Sequence, residues 1–220
     1  MPGGGPRYEP RQAAPAPETL LLDGRRKRID DVVAQRTRSV AVVLDRLEDN
    51  FNMAAVLRTC EGLGILEVHV VENPDVPFEP NGAVTQGCDK WLDIARYRDF
   101  AACRKALAGR GFALWASTVR PEATPLEEVR WDGKVALIFG NERYGVSDDV
   151  LRSADGTFWI PMRGFSGSFN ISVAAAMVLS HAMRSRPAGD LTPEEAAALK
   201  YRYSALSVKQ RKRLYPRQPR

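Results

Sequence analysis

The residues of this chain of 220 that could do chemistry lie in two glycine-bearing segments and one apolar-striped helix. Phe139-Gly-Asn-Glu-Arg-Tyr-Gly145 and Ile160-Pro-Met-Arg-Gly-Phe-Ser-Gly-Ser-Phe-Asn170 each leave an apolar run. Their glycines (Gly140, Gly145, Gly164 and Gly167) let a ligand approach the backbone closely. Ordinary turn glycines would give the same pattern. The helical segment is Asn52-Met-Ala-Ala-Val-Leu-Arg58-Thr-Cys-Glu-Gly-Leu-Gly64. Asn52 can cap it, Met53, Val56, Leu57 and Cys60 recur at helical spacing, and Gly62 and Gly64 stop it. Arg58 and Thr59 fall off the buried stripe. An outward guanidinium on a rigid helix can grip a phosphate or a ribose, and it can equally be plain surface.

The elements that must position these groups alternate between short apolar runs and helical patterns. The spacing predicts strands at 39–45, 67–71, 112–117, 134–140 and 157–162, with helices at 52–61, about 98–108, 168–185 and 193–213. Nearly continuous Val, Ile, Leu and Phe in the runs suits a parallel sheet covered on both faces, so the fold class is α/β. A dinucleotide-type site would show a glycine-rich turn after the first strand. Here Arg46-Leu-Glu-Asp-Asn-Phe-Asn52 follows instead, with no glycine before Gly62. The glycine loops therefore fall at the C-terminal ends of the fourth and fifth expected strands, where open α/β sheets bind ligands.

A hydrophobic fraction of 44% against 27% charged residues supports one sizeable core. The sequence has no apolar run long enough to span a bilayer and no apolar leader, which predicts a cytoplasmic protein without a membrane partner. Cys60, Cys88 and Cys103 are odd in number and form no C-x-x-C pair, so they read as reduced thiols, with no disulfide framework and no structural metal. Charge is segregated: eight basic residues face five acidic ones over 1–38, fourteen face nineteen over 39–183, and ten face three over 184–220. Basic ends suit a polyanion, although a charge run is often only a solvated face. Residues 1–18 read as a disordered tail rich in proline and glycine. Residues 19–38 read as a basic helical extension carrying Arg25, Arg26, Lys27 and Arg28, with Ile29, Val32 and Val33 at helical spacing. Residues 187–220 read as a second one, with Lys209, Arg211, Lys212 and Arg213 near its end.

Taken together, NMAAVLRTCEGLG, ALIFGNERYGVS and IPMRGFSGSFNISVAAA resemble the three ordered motifs of the SPOUT RNA methyltransferases, over most of residues 39–183. Within that class the chain is most similar to the TrmH-type enzymes, which methylate the ribose 2'-hydroxyl of a D-loop guanosine in tRNA and carry basic terminal extensions. The resemblance implies a catalytic domain over 39–186 whose C-terminal part threads a deep trefoil knot, one of the few exceptions to unknotted chains. It implies S-adenosylmethionine as cofactor, held at Ser117, Phe139, Gly140, Ile160, Met162, Ser168 and Phe169. Phe169 departs from the leucine familiar there, and Phe139, Ile160 and Met162 could equally be core. It makes Asn52 and Arg58 the polar pair of the first motif, Glu142 the acid of the second, and Ser168 and Asn170 the pair of the third. A guanidinium stays protonated, so the role expected of Arg58 is to stabilise a developing oxyanion. Finally, it implies a homodimer acting on tRNA through the basic extensions, with no DNA partner. Ribosomal RNA as substrate, or RNA binding without catalysis, are the competing readings.

Overall fold

The computed structural model describes residues 15–184, 186–187 and 189–209. In chain order its elements are helix α1 (Asp23–Val33), strand β1 (Thr37–Asp45), α2 (Asn50–Gly62), β2 (Ile65–Val71), α3 (Gly82–Thr85), β3 (Asp93–Tyr97), α4 (Phe100–Ala108), β4 (Ala113–Ser117) and β5 (Thr124–Pro125). There follow β6 (Val135–Phe139), α5 (Asp148–Ser153), β7 (Gly156–Trp159), α6 (Ile171–Arg184) and α7 (Pro193–Ser207). The chain divides into two compact units, one running from Ala34 to Thr192 and the other joining the residues before Ala34 to those after Thr192.

The larger unit is a seven-stranded sheet in the order β3-β2-β1-β6-β4-β7-β5, with every pairing parallel. Its central strands are continuous apolar runs because both faces are covered. Alternate residues of β1 and β6 feed opposite layers. Val40, Val42 and Leu44, with Val135, Leu137 and Phe139, pack on one face with Met53, Val56, Leu57 and Cys60 of α2 and Ala175, Val178 and Leu179 of α6. Ala41 and Val43, with Ala136 and Ile138, pack on the other with Phe100, Cys103 and Leu107 of α4 and Val150 of α5. The three cysteines are buried and free, and burial holds the Cys60 thiol above its ordinary value and pushes Cys103 up to about 12. From β1 the sheet grows to β2 and β3 on one side and to β6 on the other, so the carboxyl ends of β1 and β6 flank a point where the winding direction reverses.

The structure departs from the sequence expectations at several boundaries. Strands β3 and β5 were not expected: β3 is the mixed sequence DIARY at one edge, and β5 is two residues with a proline at the other. The N-terminal helix expected to reach residue 38 ends at Val33, because Arg36 turns inward and Thr37 opens β1. The Arg36 guanidinium is buried against the Glu61 carbonyl at 2.8 Å and its carboxylate at 2.7 Å, a tertiary anchor that outweighs helix propensity. Helix α2 starts at Asn50 with Asp49, not Asn52, as its cap. Helix α6 starts at Ile171 and not at 168. The tail read as disordered is described only from residue 15, where Pro17–Leu20 form a 3-10 turn.

The smaller unit packs α1 with α7 around buried Ile29, Val33, Leu199 and Tyr203, and Lys200 pairs with Asp30 at 2.7 Å. Arg25, Arg26, Lys27 and Arg28 are exposed on α1, where Arg26 pairs with Asp23 and Lys27 with Asp31. Lys209 is exposed, while Arg211, Lys212 and Arg213 lie outside the described residues, as does the expected end of α7 at 213. Among the described residues no helix is long and apolar enough to cross a membrane, and no cluster of His, Cys, Asp and Glu could hold a metal ion.

Candidate active site

A cleft of about 830 Å³ opens at the carboxyl ends of β4, β6 and β7. Its walls come from the loops that leave those strands: 117–121, 139–146 and 159–170. The middle loop is a tight turn. The Asn141 side chain accepts from the backbone N–H groups of Arg143 at 2.8 Å and Tyr144 at 3.1 Å, and donates to the Arg46 carbonyl at 2.9 Å. Gly145, at φ +72°, closes the turn with its N–H on the Asn141 carbonyl at 2.8 Å. Gly140 is required by contact, since a Cβ there would collide with the backbone of Gly145 and Val146. Buried Asp45, at the end of β1, accepts from the Ser147 N–H at 2.8 Å and ties the turn to the sheet.

The polar residues named from the sequence fall into two groups. Asn52, Glu142 and Asn170 form one hydrogen-bonded chain, although they come from three separate segments. Asn52 donates through Nδ2 to Glu142 Oε1 at 3.1 Å, and its Oδ1 accepts from Asn170 Nδ2 at 3.1 Å. The Glu142 carboxylate also accepts from the backbone N–H groups of Glu48 at 3.1 Å and Asp49 at 3.4 Å, just before α2. Asn170 caps α6: its Oδ1 accepts from the Ser172 N–H at 2.9 Å and hydroxyl at 2.7 Å. Ser168, one turn of loop earlier, lines the cleft with Glu142 and Asn170.

Arg58 is not brought to this place. It is exposed on α2 and donates to the carbonyl of Val84 in α3, at 3.4 Å, and it does not line its own chain's cleft. By contrast, Ser117, Phe139, Gly140, Ile160, Met162, Ser168 and Phe169 all line the cleft. Phe139 is fully buried, Ile160 and Met162 are half-buried, and Phe169 is 38% exposed, so the strand-end residues serve the core and the cleft wall together.

Sequence reasoning missed Asn141, Asp45 and Tyr144. An asparagine directly after a strand, between two glycines, was a legible turn signal for Asn141. Asp45 closing an otherwise apolar strand was legible as a buried carboxylate that needs a donor. Tyr144 carried no such signal.

Residues 39–180 match the SpoU rRNA Methylase family. A tRNA (guanosine(18)-2'-O)-methyltransferase of Thermus thermophilus is 37% identical over 164 residues, covering 74% of this chain and 84% of that protein. The crystal structure of the Aquifex aeolicus TrmH/SpoU tRNA modifying enzyme superposes with a TM-score of 0.77 at 29% identity, covering 86% of this chain and 98% of that one. An AdoMet-bound rRNA methyltransferase from Sinorhizobium meliloti superposes with a TM-score of 0.59 over 71% of this chain and 59% of its own, and at 24% identity that likeness bears on the fold alone.

Proposed function

The chain belongs to the SpoU rRNA Methylase family, and from that premise we propose that it is a tRNA ribose 2'-O-methyltransferase acting on the D-loop guanosine at position 18. The observation that carries the reading is the Asn52–Glu142–Asn170 array set beside a cleft whose lining suits S-adenosylmethionine. That fit rests on two features. The cleft has the volume of a small-molecule site, and its wall joins apolar side chains to the backbone of loops 139–146 and 159–170. Gly140, with no room for a Cβ, lets the two sides of the middle turn close into one wall. Ser117, Phe139, Gly140, Ile160, Met162, Ser168 and Phe169 would hold the cofactor. When bound, S-adenosylmethionine supplies a methyl group already activated on a sulfonium.

The chain's own task is then to present a ribose hydroxyl in line and to relieve it of its proton, and positioning dominates such a reaction. Asn170 and Ser168 stand where the chain enters α6, a place suited to orienting a ribose or an adjacent phosphate through side chains and free N–H groups. Asn52 locks Asn170 to Glu142 and so fixes the array against α2. Arg58 supplies a permanent positive charge for the developing alkoxide. Its distance from its own cleft supports a two-chain site, in which Arg58 of the partner subunit completes the cleft. Exposed Phe51 on α2 and exposed Val173 and Met177 on α6 give these helices an apolar face suited to such a homodimer.

We extend to this chain the trefoil threading of the fold, a catalytic domain over 39–186, and terminal extensions that bind RNA. Arg25, Arg26, Lys27, Arg28 and Lys209, with Arg211, Lys212 and Arg213 beyond the described residues, are placed on tRNA phosphates. A cytoplasmic site of action follows from that substrate. The reading is tested by incubating the purified protein with methyl-labelled S-adenosylmethionine and either unmodified tRNA or ribosomal RNA fragments. Label in tRNA is expected. Label only in ribosomal RNA would move the substrate, and label in neither, with cofactor binding intact, would reduce the protein to an RNA-binding scaffold.

A further inference from the structure

Tyr144 stands at the tip of the middle loop, lines the cleft and is 74% exposed. An aromatic ring left in water on a flexible loop would mean little. This one is held by a rigid turn, with its N–H on the Asn141 side chain and the next residue closing the loop onto the Asn141 carbonyl. The Arg143 guanidinium lies 5.9 Å from the ring centroid, and Arg120 also reaches the cleft. Phe165 is more exposed still, but it does not line the cleft. An exposed π-face on a hydrogen-bonded turn, beside one arginine and in a cleft that a second arginine lines, is a surface on which a splayed nucleobase stacks, with the cations favouring neighbouring phosphates.

The location narrows which base this can be. Tyr144 is two residues from Glu142, the carboxylate that anchors Asn52 and through it Asn170. Tyr144, Ser168 and Asn170 line the same cleft, so a ribose oriented by that array carries its base into the space that Tyr144 borders. A nucleotide splayed out to place its 2'-hydroxyl in this cleft loses its stacking neighbours, and a replacement stacking partner offsets that cost.

We propose that Tyr144, backed by Arg143, is the platform on which the base of the methyl-accepting nucleotide stacks. This rests on the RNA methyltransferase reading above. The ring then contributes to RNA engagement and not to cofactor binding.

The test compares wild type with Tyr144→Ala, Tyr144→Phe and Tyr144→Trp, using tRNA carrying 2-aminopurine in place of the accepting guanine for fluorescence and unmodified tRNA for kinetics. Wild type, Tyr144→Phe and Tyr144→Trp are expected to quench the 2-aminopurine on binding. Tyr144→Ala should leave it bright and lower kcat/KM for tRNA by about ten- to a hundredfold, the range of a lost base–aromatic stack. Its affinity for S-adenosylmethionine, by calorimetry, should stay within about twofold of wild type. Unchanged quenching and kinetics in Tyr144→Ala would overturn the platform while the functional reading stands. So would a large loss of cofactor affinity, which would make the ring a wall of the cofactor site. A wild-type protein that methylates no tRNA would overturn the functional reading itself, and the platform with it.

Discussion

Replacing Asn52 by alanine removes the link between the three segments of the site. Its side chain makes two hydrogen bonds, one to the Glu142 carboxylate and one from the Asn170 amide, both at 3.1 Å. A neutral hydrogen bond contributes about 1 kcal/mol and one to a charged group about 1.5–3 kcal/mol, with partly solvated bonds near the lower values. The array therefore loses about 2–3 kcal/mol of orientation. If that orientation is expressed in the transition state, the methyl-transfer rate falls about 30- to 150-fold. Stability should fall by no more than this same amount, because Asp49 and not Asn52 caps α2 and its bond to the Phe51 N–H at 2.7 Å is untouched. Single-turnover transfer of labelled methyl to tRNA, with enzyme in excess, measures the step directly, and a thermal melt checks the fold. Asn52→Asp, which sets a second carboxylate against Glu142, should be at least as slow. A rate for Asn52→Ala within about threefold of wild type would refute the claim that the array orients the acceptor.

Three further outcomes are expected. Gly140→Ala forces a methyl group onto the backbone of Gly145 and Val146, so calorimetry should show cofactor affinity down by more than about tenfold and a lower melting temperature; intact affinity would show that the turn can open freely. Arg58→Ala should abolish transfer while cofactor affinity stays within about threefold, and mixing it with Asn170→Ala chains should restore partial activity if Arg58 serves the partner subunit's cleft. Absence of any rescue in proven mixed dimers would place Arg58 in its own chain's chemistry. Glu67 is buried beside Arg38 at 2.7 Å and Arg110 at 2.6 Å; burial opposes its charge, but the nearby His69 ring and hydrogen bonds from Arg110 and Arg38 outweigh this and hold its carboxyl well below the usual range. A depressed carboxylate stabilises the fold fully above its unfolded value, about 4.3, and that stability is lost as pH falls through the folded value. Glu67→Gln should thus cost about 3 kcal/mol in urea melts at pH 7, the low end for a broken buried pair because both guanidiniums reach water, and the gap should narrow below about pH 4. A gap that is constant with pH would contradict the ionic account.

What the sequence reveals of this fold follows from burial. All five strands expected from apolar runs are present, because strands covered on both faces must be apolar throughout. Strand β3 stays hidden because Arg96 reaches out to pair with Glu72 and Asp93 pairs with Arg38, so its charges break the run. Strand β5 is too short to carry a pattern. The entry to β1 is equally hidden, since it depends on the buried Arg36–Glu61 contact between residues distant in sequence. At the site, the glycines mark two loops that do line the cleft, but Gly140 and Gly145 answer to the geometry of their own turn, and a Cβ at Gly164 or Gly167 would meet nothing within 4 Å. The Asn52–Glu142–Asn170 chain was not legible from spacing, because its hydrogen bonds cross three segments; only motif resemblance put those residues together. The distance of Arg58 from the cleft also lay beyond periodicity, which shows that a residue faces outward but not toward what.

Methylation of the ribose of one D-loop guanosine in this cleft is checked by treating unmodified tRNA with the protein and S-adenosylmethionine, digesting it with a guanosine-specific nuclease and locating the added methyl by mass spectrometry. A single ribose methyl on guanosine 18, which blocks cleavage there, is expected, with at most a few per cent of that product from Asn52→Ala and none from Arg58→Ala over one wild-type turnover. A methyl on a base, or on a ribose outside the D-loop, would contradict it.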